Sequence, residues 1–216
     1  MYNYSHYKEQ DKEVVLAFMR QHNFVMLIAA DNSGRAEATQ VPVMVEERGD
    51  KLFITGHIAR KSDHQNTMAE SGNALLVFTG PHAYVSGAWY SNPQQASTWN
   101  YIAVHARGNV RWTDEVELIA ILKKLSLHFE NYDANSSPFY DNLPVEYVAK
   151  LVKAIVGFEI EVTELDNVYK LSQNRDEKSY DTIVEKLKQQ EGDAKLIAEI
   201  MEERKPGVFN PGKDNS

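Results

Sequence analysis

The residues best suited to chemistry lie in the stretch Lys51–Met68, which reads KLFITGHIARKSDHQNTM. Its first five residues are rich in β-branched and aromatic side chains and predict a strand, and Ser62 predicts the N-cap of a helix over Asp63–Glu70. Arg60 and Lys61 stand between the two. An arginine fork, a lysine charge and the free N–H groups of a helix start are typical of a cradle for an oxyanion. A pair of exposed loop cations explains the same residues equally well.

Three further segments combine aromatic, amide and cationic side chains near predicted strand ends. They are Gly80–Tyr84, Thr98–Tyr101 and Lys170–Arg175. Each segment alone is weak, because residues such as Trp99 and Tyr84 belong to a core more often than to a ligand site. Together with the first stretch they offer stacking surface, edge hydrogen bonds and cations, which a planar phosphorylated heterocycle requires.

Composition limits the classes of function. The 216 residues carry a net charge of −8 and no cysteine, which excludes disulfides, thiol catalysis and cysteine-based zinc sites. No window approaches about 18 apolar residues and the polar start lacks a signal core, so we expect a cytoplasmic protein that does not cross a membrane. P-loop, GxGxxG and GxSxG patterns are absent, and no histidine spacing suggests a metal site.

The hydrophobic patterns predict a helix, about six or seven strands, helical insertions, a last strand and a helical end. The predicted strands are Phe24–Ala30, Ala36–Glu46, Lys51–Thr55, Ala74–Phe78, Ala83–Ser86, Thr98–Trp112 and Gly157–Val162. The predicted helices are Asp11–His22, a helix capped by Thr113 and ending near Phe129, Val145–Ile155, Asp181–Gln190 and Asp193–Glu203. Consecutive antiparallel strands in this number indicate a closed or partly closed barrel, because closure removes sheet edges.

Four strings place the chain beside a known family. PHAYVSGAWY, TWNYIAVHARG, AIVGFEIEVTEL and KLSQNR resemble the PaiB-like family of FMN-binding negative transcriptional regulators, and the resemblance runs from about Tyr7 to Met201. It implies an FMN-binding split β-barrel of the α+β class, mainly β, with peripheral helices and a helical C-terminal tail. Such proteins are similar to pyridoxine-phosphate oxidase and flavin reductases. They are typically homodimers with FMN at the subunit interface.

The resemblance also implies site residues. In the wider group a strand, a turn and Ser-Arg-Lys hold the FMN phosphate, which corresponds here to Arg60 and Lys61. The preceding strand passes under the flavin ring. The cofactor-binding residues implied in this way are Thr39, Gln40, Val41, Thr55, His57, Arg60, Lys61, Ser62, His82, Trp99 and Asn100. The last three would approach from the same or the partner subunit. No catalytic residue is assigned.

Two positions depart from the family pattern. Residues 57–62 read HIARKS where the family is closer to HVARAN, which makes this cradle more cationic. Gly87 stands where the family usually has proline, and we expect a looser loop before Trp89.

The resemblance and the hydrophobic pattern together imply three parts of the chain. Residues 1–175 would form the split-barrel FMN-binding domain with helical insertions. Residues 176–204 would form a C-terminal helical segment packed on the barrel or on a partner. Residues 205–216, with two prolines and two glycines, would form a flexible tail.

Three functions fit these residues. The first is a homodimeric, FMN-binding negative regulator. Direct DNA contact is disfavoured by the net charge and by the absence of a helix-turn-helix pattern, and a basic surface around Arg107, Arg111 and Lys123-Lys124 reads better as a solvated face. The second is an FMN-dependent oxidoreductase or flavin reductase. The third, least favoured, is a haem-binding split barrel with His57, His82 or His105 as axial ligand.

Overall fold

The computed structural model describes residues 1–92 and 94–209, which form two compact units. The first unit contains Met1–Val15, Thr79–Ala103 and the chain from Asn167 onward. The second contains Leu16–Phe78 and Val104–Asp166.

Six strands form an antiparallel barrel. They are β1 (Phe24–Ala30), β2 (Ala36–Arg48), β3 (Lys51–Ala59), β4 (Asn73–Val85), β5 (Thr98–Trp112) and β6 (Ile155–Lys170). Their order around the closed barrel is β1-β2-β3-β6-β5-β4. The paired residues of β1–β2, β1–β4, β2–β3 and β3–β6 all lie in the second unit. The predicted antiparallel barrel is therefore confirmed.

Alternation along the strands builds the barrel core. Val41, Val43 and Val45 of β2 are buried and are separated by residues of intermediate exposure, and Ile54 of β3 is fully buried. Pro42 is the last β2 residue in register with β1, and Val43 is the first in register with β3. The proline therefore lies where β2 changes partner, and a missing N–H is tolerated best at such a position.

The described residues include six α-helices beside the strands. They are α1 (Lys12–Gln21), α2 (Asp63–Ser71), α3 (Glu115–Phe129), α4 (Val145–Ala154), α5 (Glu177–Lys188) and α6 (Asp193–Phe209). In the second unit α3 packs on β2 and β3 with its buried residues Leu118, Ile121 and Leu125. Within residues 1–92 and 94–209, no helix combines the length and apolarity needed to cross a membrane.

Four strands are longer than the sequence predicts: β2 and β3 extend to Arg48 and Ala59, and β4 and β6 differ more. The separation predicted between the strands Ala74–Phe78 and Ala83–Ser86 is wrong, because β4 runs without interruption over Asn73–Val85 with Pro81 buried. A proline in extended backbone removes only its own N–H from the ladder. Strand β6 continues past the predicted end at Val162 to Lys170. The prediction ended too early because exposed residues around Glu164 interrupt the burial pattern, and burial resumes only at Val168.

Helix boundaries also differ from the predicted ones. Asp114, not Thr113, caps α3: its side chain accepts from the Glu117 N–H at 2.8 Å, and Glu117 accepts from the Asp114 N–H. Asp176 caps α5, which begins at Glu177, four residues before the predicted start at Asp181. Of the expected flexible tail, residues 205–209 belong to α6, and residues 210–216 lie outside the described part of the chain.

Candidate functional site

The predicted cradle forms where β3 ends. The Arg60 N–H donates to the Ala154 carbonyl oxygen at 2.9 Å, and Arg60 Nε donates to the Ile155 carbonyl oxygen at 3.0 Å. These bonds hold the exposed side chain by its inner nitrogen. Across the described ranges, neither terminal guanidinium nitrogen has a hydrogen-bond partner. Arg60 therefore presents a fork whose two outer groups are available to a ligand.

Lys61 and Ser62 turn the chain into α2. Lys61 adopts the left-handed conformation, with φ 61°, and its N–H donates to Gln65 Oε1 at 2.6 Å. Ser62 Oγ accepts from the Gln65 N–H at 3.1 Å and donates to the Ala59 carbonyl oxygen at 2.9 Å. The predicted N-cap is therefore confirmed, and α2 begins at Asp63 directly beyond the two cations.

The charge of this cradle is not balanced. Neither Arg60 nor Lys61 forms an ion pair with any residue that the structure describes. The N-terminus of α2 adds the positive end of a helix dipole, although Asp63 in its first turn offsets part of that field. Two unpaired cations at a helix start form a site that favours an oxyanion.

Thr39 connects β2 to the same helix. Thr39 Oγ1 and His64 Nδ1 are 2.7 Å apart, and His64 is 5% exposed. His64 Nε2 is buried without a partner among the described residues. Burial lowers the pKa of His64, against an opposing effect from the Glu37 charge, so the ring is held neutral. The neighbouring Gln40 is exposed and Val41 is buried.

His57 faces an apolar cavity of about 260 Å³ in the second unit. The other lining residues are Leu122, Ser126, Pro138, Tyr140, Leu143, Val148, Leu151, Val152 and Ile155. His57 Nδ1 is buried without a described partner, and burial lowers the pKa of the ring. Ile155 lines this cavity and also accepts the hydrogen bond from Arg60 Nε. The cavity and the cradle are therefore neighbours.

Thr55 lies elsewhere on β3, beside a network of ion pairs. It is 4% exposed and lines a small cavity of about 170 Å³ with residues of β2, β5, β6 and α3. Arg111 donates to both carboxylate oxygens of Glu117 at 2.8 Å and to Glu159 at 3.0 Å. Arg48 donates to Glu159 at 2.6 Å. Burial would raise the pKa of Glu159, but the hydrogen bonds from both arginines outweigh it and hold that pKa below its ordinary value.

The candidate basic surface is neutralised by such pairs. Arg111 contacts two glutamates, Lys124 lies 2.5 Å from Glu46, and Lys123 lies 2.6 Å from Asp141. Arg107 is 3.9 Å from a carboxylate oxygen of Glu164. These cations belong to a mixed-charge face of the second unit, as the solvated-face interpretation requires.

Three predicted site residues belong to the first unit. His82 and Trp99 are exposed with ring centroids 5.9 Å apart, and His82 Nδ1 lies 3.1 Å from Asp193 Oδ2. Asn100 is fully buried: its Oδ1 accepts from Ser172 Oγ at 2.9 Å and its Nδ2 is 3.3 Å from Met201 Sδ. The amide of Asn100 thus has protein partners at both ends.

The expected loosening at Gly87 is wrong. The Gly87 N–H donates to Ser97 Oγ at 3.0 Å, and an added Cβ would lie 2.3 Å from the Gln95 carbonyl oxygen. The loop before Trp89 is therefore tightly packed at the glycine, which leaves no room for a side chain.

Two features near the cradle were not predicted from the sequence, namely the contact of His64 with Thr39 and the cavity beside His57. His64 contacts Thr39, and the only indication of this in the sequence is that His64 lies in the first turn of the helix capped by Ser62. The cavity beside His57 draws its walls from α3, α4 and the segment between them, and nothing in the local sequence of β3 indicates those neighbours.

The fold is that of the split-barrel class of proteins. The solved structures that resemble the chain include the conserved hypothetical protein Rv2991 from Mycobacterium tuberculosis, with a TM-score of 0.56 and 9% identity over 79% of this chain and 91% of that chain. They also include the flavocytochrome Anf3 from Azotobacter vinelandii, with a TM-score of 0.55 and 17% identity over 78% of this chain and 72% of that chain. These likenesses show the fold alone.

Sequence similarity shows the family. Residues 1–164 match the family described as "Putative FMN-binding domain". The chain is 33% identical over 207 residues to "Protease synthase and sporulation protein PAI 2" of Bacillus subtilis, covering 94% of this chain and 98% of that protein. It is 29% identical over 170 residues to the uncharacterized protein AN0679 of Emericella nidulans, covering 71% and 68% of the two chains. The chain belongs to this FMN-binding-domain family, and its resemblance to the PaiB-like proteins is confirmed.

Proposed function

We propose that the chain binds FMN and that Arg60, Lys61, Ser62 and the start of α2 hold its phosphate. The observation that carries this proposal is the pair of cations at the capped helix start, both without a carboxylate partner in the described structure. Elsewhere in the second unit, cations such as Arg48 and Arg111 are neutralised by glutamates. A phosphate would supply the missing negative charge and accept from the outer guanidinium nitrogens.

The residues around the cradle suit the rest of a flavin. Thr39 and Gln40 would border the ring, with Val41 and Thr55 beneath it in the barrel wall. The neutral His57, whose Nδ1 lacks a partner, would offer a hydrogen bond to a ring edge. His82, Trp99 and Asn100 would contribute from the same or the partner subunit, Asn100 through its position because its amide is already bonded.

We propose further that the protein is a homodimer. Helix α4 exposes large apolar side chains, with Val145 83%, Tyr147 53% and Leu151 42% exposed. Surfaces of this kind often mark protein–protein contacts. The resemblance, which implies dimers with FMN at the interface, supports the same assembly.

The proposed role is that of a PaiB-like negative regulator acting without direct DNA contact. The name of the B. subtilis relative, which refers to protease synthesis and sporulation, supports regulation. The net charge of −8 and the paired cations of the basic surface argue against binding to a phosphate backbone. Regulation would then pass through a partner protein or through the ligand state of the flavin site.

A second candidate function is an FMN-dependent oxidoreductase. The observation that favours it is the apolar cavity beside His57, which shares Ile155 with the cradle and could hold a small apolar substrate. FMN, when bound, supplies hydride chemistry. The chain would exclude water from the cavity through its apolar walls and orient the substrate with the neutral imidazole of His57.

Titration of the protein with FMN tests the phosphate assignment. We expect Arg60→Ala/Lys61→Ala to weaken binding by about 2–5 kcal/mol, roughly 30- to 4,000-fold in Kd, because two charge-assisted contacts are lost. Quenching of flavin fluorescence provides the measurement. The control Lys186→Ala/Lys195→Ala removes two exposed cations of the first unit and should keep the wild-type affinity. Equal affinity in both double variants would contradict the assignment.

Oxidation of NAD(P)H by the FMN-loaded protein separates the two functions. An oxidoreductase must oxidise NAD(P)H faster than free FMN does. His57→Phe should lower that rate, because phenylalanine has no polar atom to orient a substrate in the cavity. A rate equal to that of free FMN leaves the regulator as the function.

A further inference from the structure

We infer that the first unit carries a second anion site, built from Lys170, Arg175 and Tyr90. The ligand class is a compact oxyanion, the carboxylate or phosphate group of a small molecule. The site goes beyond the proposed phosphate cradle, because its residues belong to the first unit and the cradle belongs to the second. Lys170–Arg175 is one of the segments that the sequence suggests for a heterocycle, and the anion site gives that segment a role of its own.

Lys170 is a buried cation without a counter-ion. It is 8% exposed, and its Nζ donates to Thr98 Oγ1 at 2.6 Å and to the Trp99 carbonyl oxygen at 2.5 Å. Both acceptors are neutral, and no carboxylate pairs with Lys170 among the described residues. An ammonium group has three donors, so one is left for a ligand. Burial, and then the charge of Arg175, lower the pKa of Lys170.

Arg175 places a second positive charge in the same group. Its guanidinium carbon lies 4.2 Å from the centroid of the Tyr90 ring, and Nη1 donates to Gln95 Oε1. The adjacent Asp176 does not neutralise it: its carboxylate caps α5 and accepts from Ser91 Oγ at 3.0 Å and Ser179 Oγ at 2.7 Å. Arg175 thus keeps donors that no described side chain uses.

Tyrosine side chains complete the site. Tyr90 is 6% exposed, and its hydroxyl is buried without a partner in the described structure. The Tyr7 ring lies 5.9 Å from Lys170 Nζ. Burial raises the pKa of Tyr7, and the charge of Arg175 opposes that rise. A phenol hydroxyl donates readily to an oxyanion. Lys170 and Arg175 are bonded to Thr98 and Gln95 of one short segment, and the Tyr90 ring under Arg175 carries a buried hydroxyl without a described partner.

A purely structural role explains only part of this arrangement. Lys170 does tie β6 to β5 through its bonds to Thr98 and Trp99. A buried ammonium without a carboxylate and a buried hydroxyl without a partner both destabilise the free protein. One bound oxyanion would satisfy Lys170, Arg175 and Tyr90 together.

Thermal unfolding in different salts tests the inference. The parent is Arg60→Ala/Lys61→Ala, in which the cradle is disabled, so the outcome does not depend on FMN binding. We expect sodium phosphate or sodium acetate to raise the unfolding midpoint above that in sodium chloride of equal ionic strength. Adding Lys170→Met should abolish the gain and Tyr90→Phe should reduce it. Adding Lys178→Met, at an exposed lysine of the first unit, should leave it unchanged.

Phosphate also stabilises proteins that have no site for it, because it is excluded from the protein surface. The site is therefore measured by the part of each gain that Lys170→Met removes and Lys178→Met keeps. The anion with the larger part of this kind gives the ligand class, a phosphate or a carboxylate, and either result supports the site. Tyr90→Phe should also raise the midpoint in sodium chloride alone, because it removes the orphaned hydroxyl and keeps the ring under Arg175. If Lys170→Met does not fold, Tyr90→Phe decides the matter, since it removes one oxygen only. The inference is overturned if neither anion raises the midpoint above that in chloride, or if the gain is the same in these variants as in their parent.

Discussion

Single side chains in this protein are distinguished by the partners that they lack. Arg60 and Lys61 carry charges that no described carboxylate balances, whereas Arg111 contacts two glutamates at once. His57 and His64 each bury a ring nitrogen without a described partner. The two buried ring nitrogens destabilise the free protein, because burial removes their hydrogen bonds to water, whereas the exposed Arg60 and Lys61 stay hydrated.

The stability of the fold should depend on pH through His57. Burial lowers its folded-state pKa below the unfolded value of about 6.5, so the unfolded chain binds more protons as the pH falls below that value. The free energy of unfolding is therefore highest above a pH of about 6.5. It falls as the pH is lowered from there toward the folded-state pKa, by at most about 1.4 kcal/mol per pH unit. We expect His57→Phe and His57→Gln to reduce this loss, measured by urea unfolding on both sides of that pH.

The two variants separate charge from packing. Phenylalanine fills the apolar cavity and glutamine does not, so their stabilities at neutral pH should differ while their pH dependences agree. If both variants lose as much stability on acidification as the wild-type protein does, His57 does not titrate in this way.

At the scale of single residues, the sequence predicted which residues form the cradle but not that its two cations would lack acidic partners. The order Ala-Arg-Lys-Ser predicted two cations and a cap, and Ser62 confirmed the cap. The partners that decide which cations stay unpaired come from distant positions: Glu159 neutralises Arg48 from 111 residues away. No local pattern carries that information.

At the scale of elements, strands with uninterrupted patterns were predicted best. Phe24–Ala30 and Thr98–Trp112 match β1 and β5 residue for residue, because apolar runs and strict alternation define a strand locally. Caps were harder to predict, since threonine and aspartate are both common N-cap residues and Thr113 and Asp114 are adjacent. Only the reciprocal bond with Glu117 in the folded chain selects Asp114.

Close approach between strands makes one glycine of β5 indispensable. A Cβ on Gly108 would lie 2.2 Å from the Glu161 carbonyl oxygen, so the backbones of β5 and β6 would have to move apart. We expect Gly108→Ala to lower the free energy of unfolding by about 1–3 kcal/mol or more, measured by chemical denaturation.

The matched control is Gly207 in α6, where an added Cβ meets no atom within 4 Å. Gly207→Ala should be neutral or stabilising by about 0.5–1 kcal/mol, because alanine favours a helix. Similar effects of the two substitutions would mean that β5 and β6 can separate without cost.

At the scale of the whole molecule, the sequence predicted the barrel because consecutive antiparallel strands leave few ways to remove their edges. It did not predict the two units, whose members come from separated stretches: Met1–Val15 and Thr79–Ala103 belong to the same unit. Contacts between such distant stretches arise from tertiary packing, which local periodicity does not encode.

The proposed homodimer gives a prediction at this scale. Val145→Asp/Tyr147→Asp places two charges at exposed apolar positions of α4, and we expect the protein to sediment as a monomer because desolvating carboxylates opposes association. The control Val116→Asp, at an exposed residue of α3, should remain dimeric. A wild-type protein that sediments as a monomer at micromolar concentration would contradict the dimer.

The left-handed backbone of Lys61 has a consequence for how sequences can vary at this turn. Glycine and asparagine adopt that conformation most easily, whereas a long side chain carries a cost of roughly 1–2 kcal/mol. A saturation library at position 61 should therefore give two different rankings. Selection for thermal tolerance enriches glycine and asparagine, and selection for retained cofactor enriches lysine and arginine. Divergence of these two fitness profiles at a single codon would identify the turn as a place where foldability was exchanged for binding.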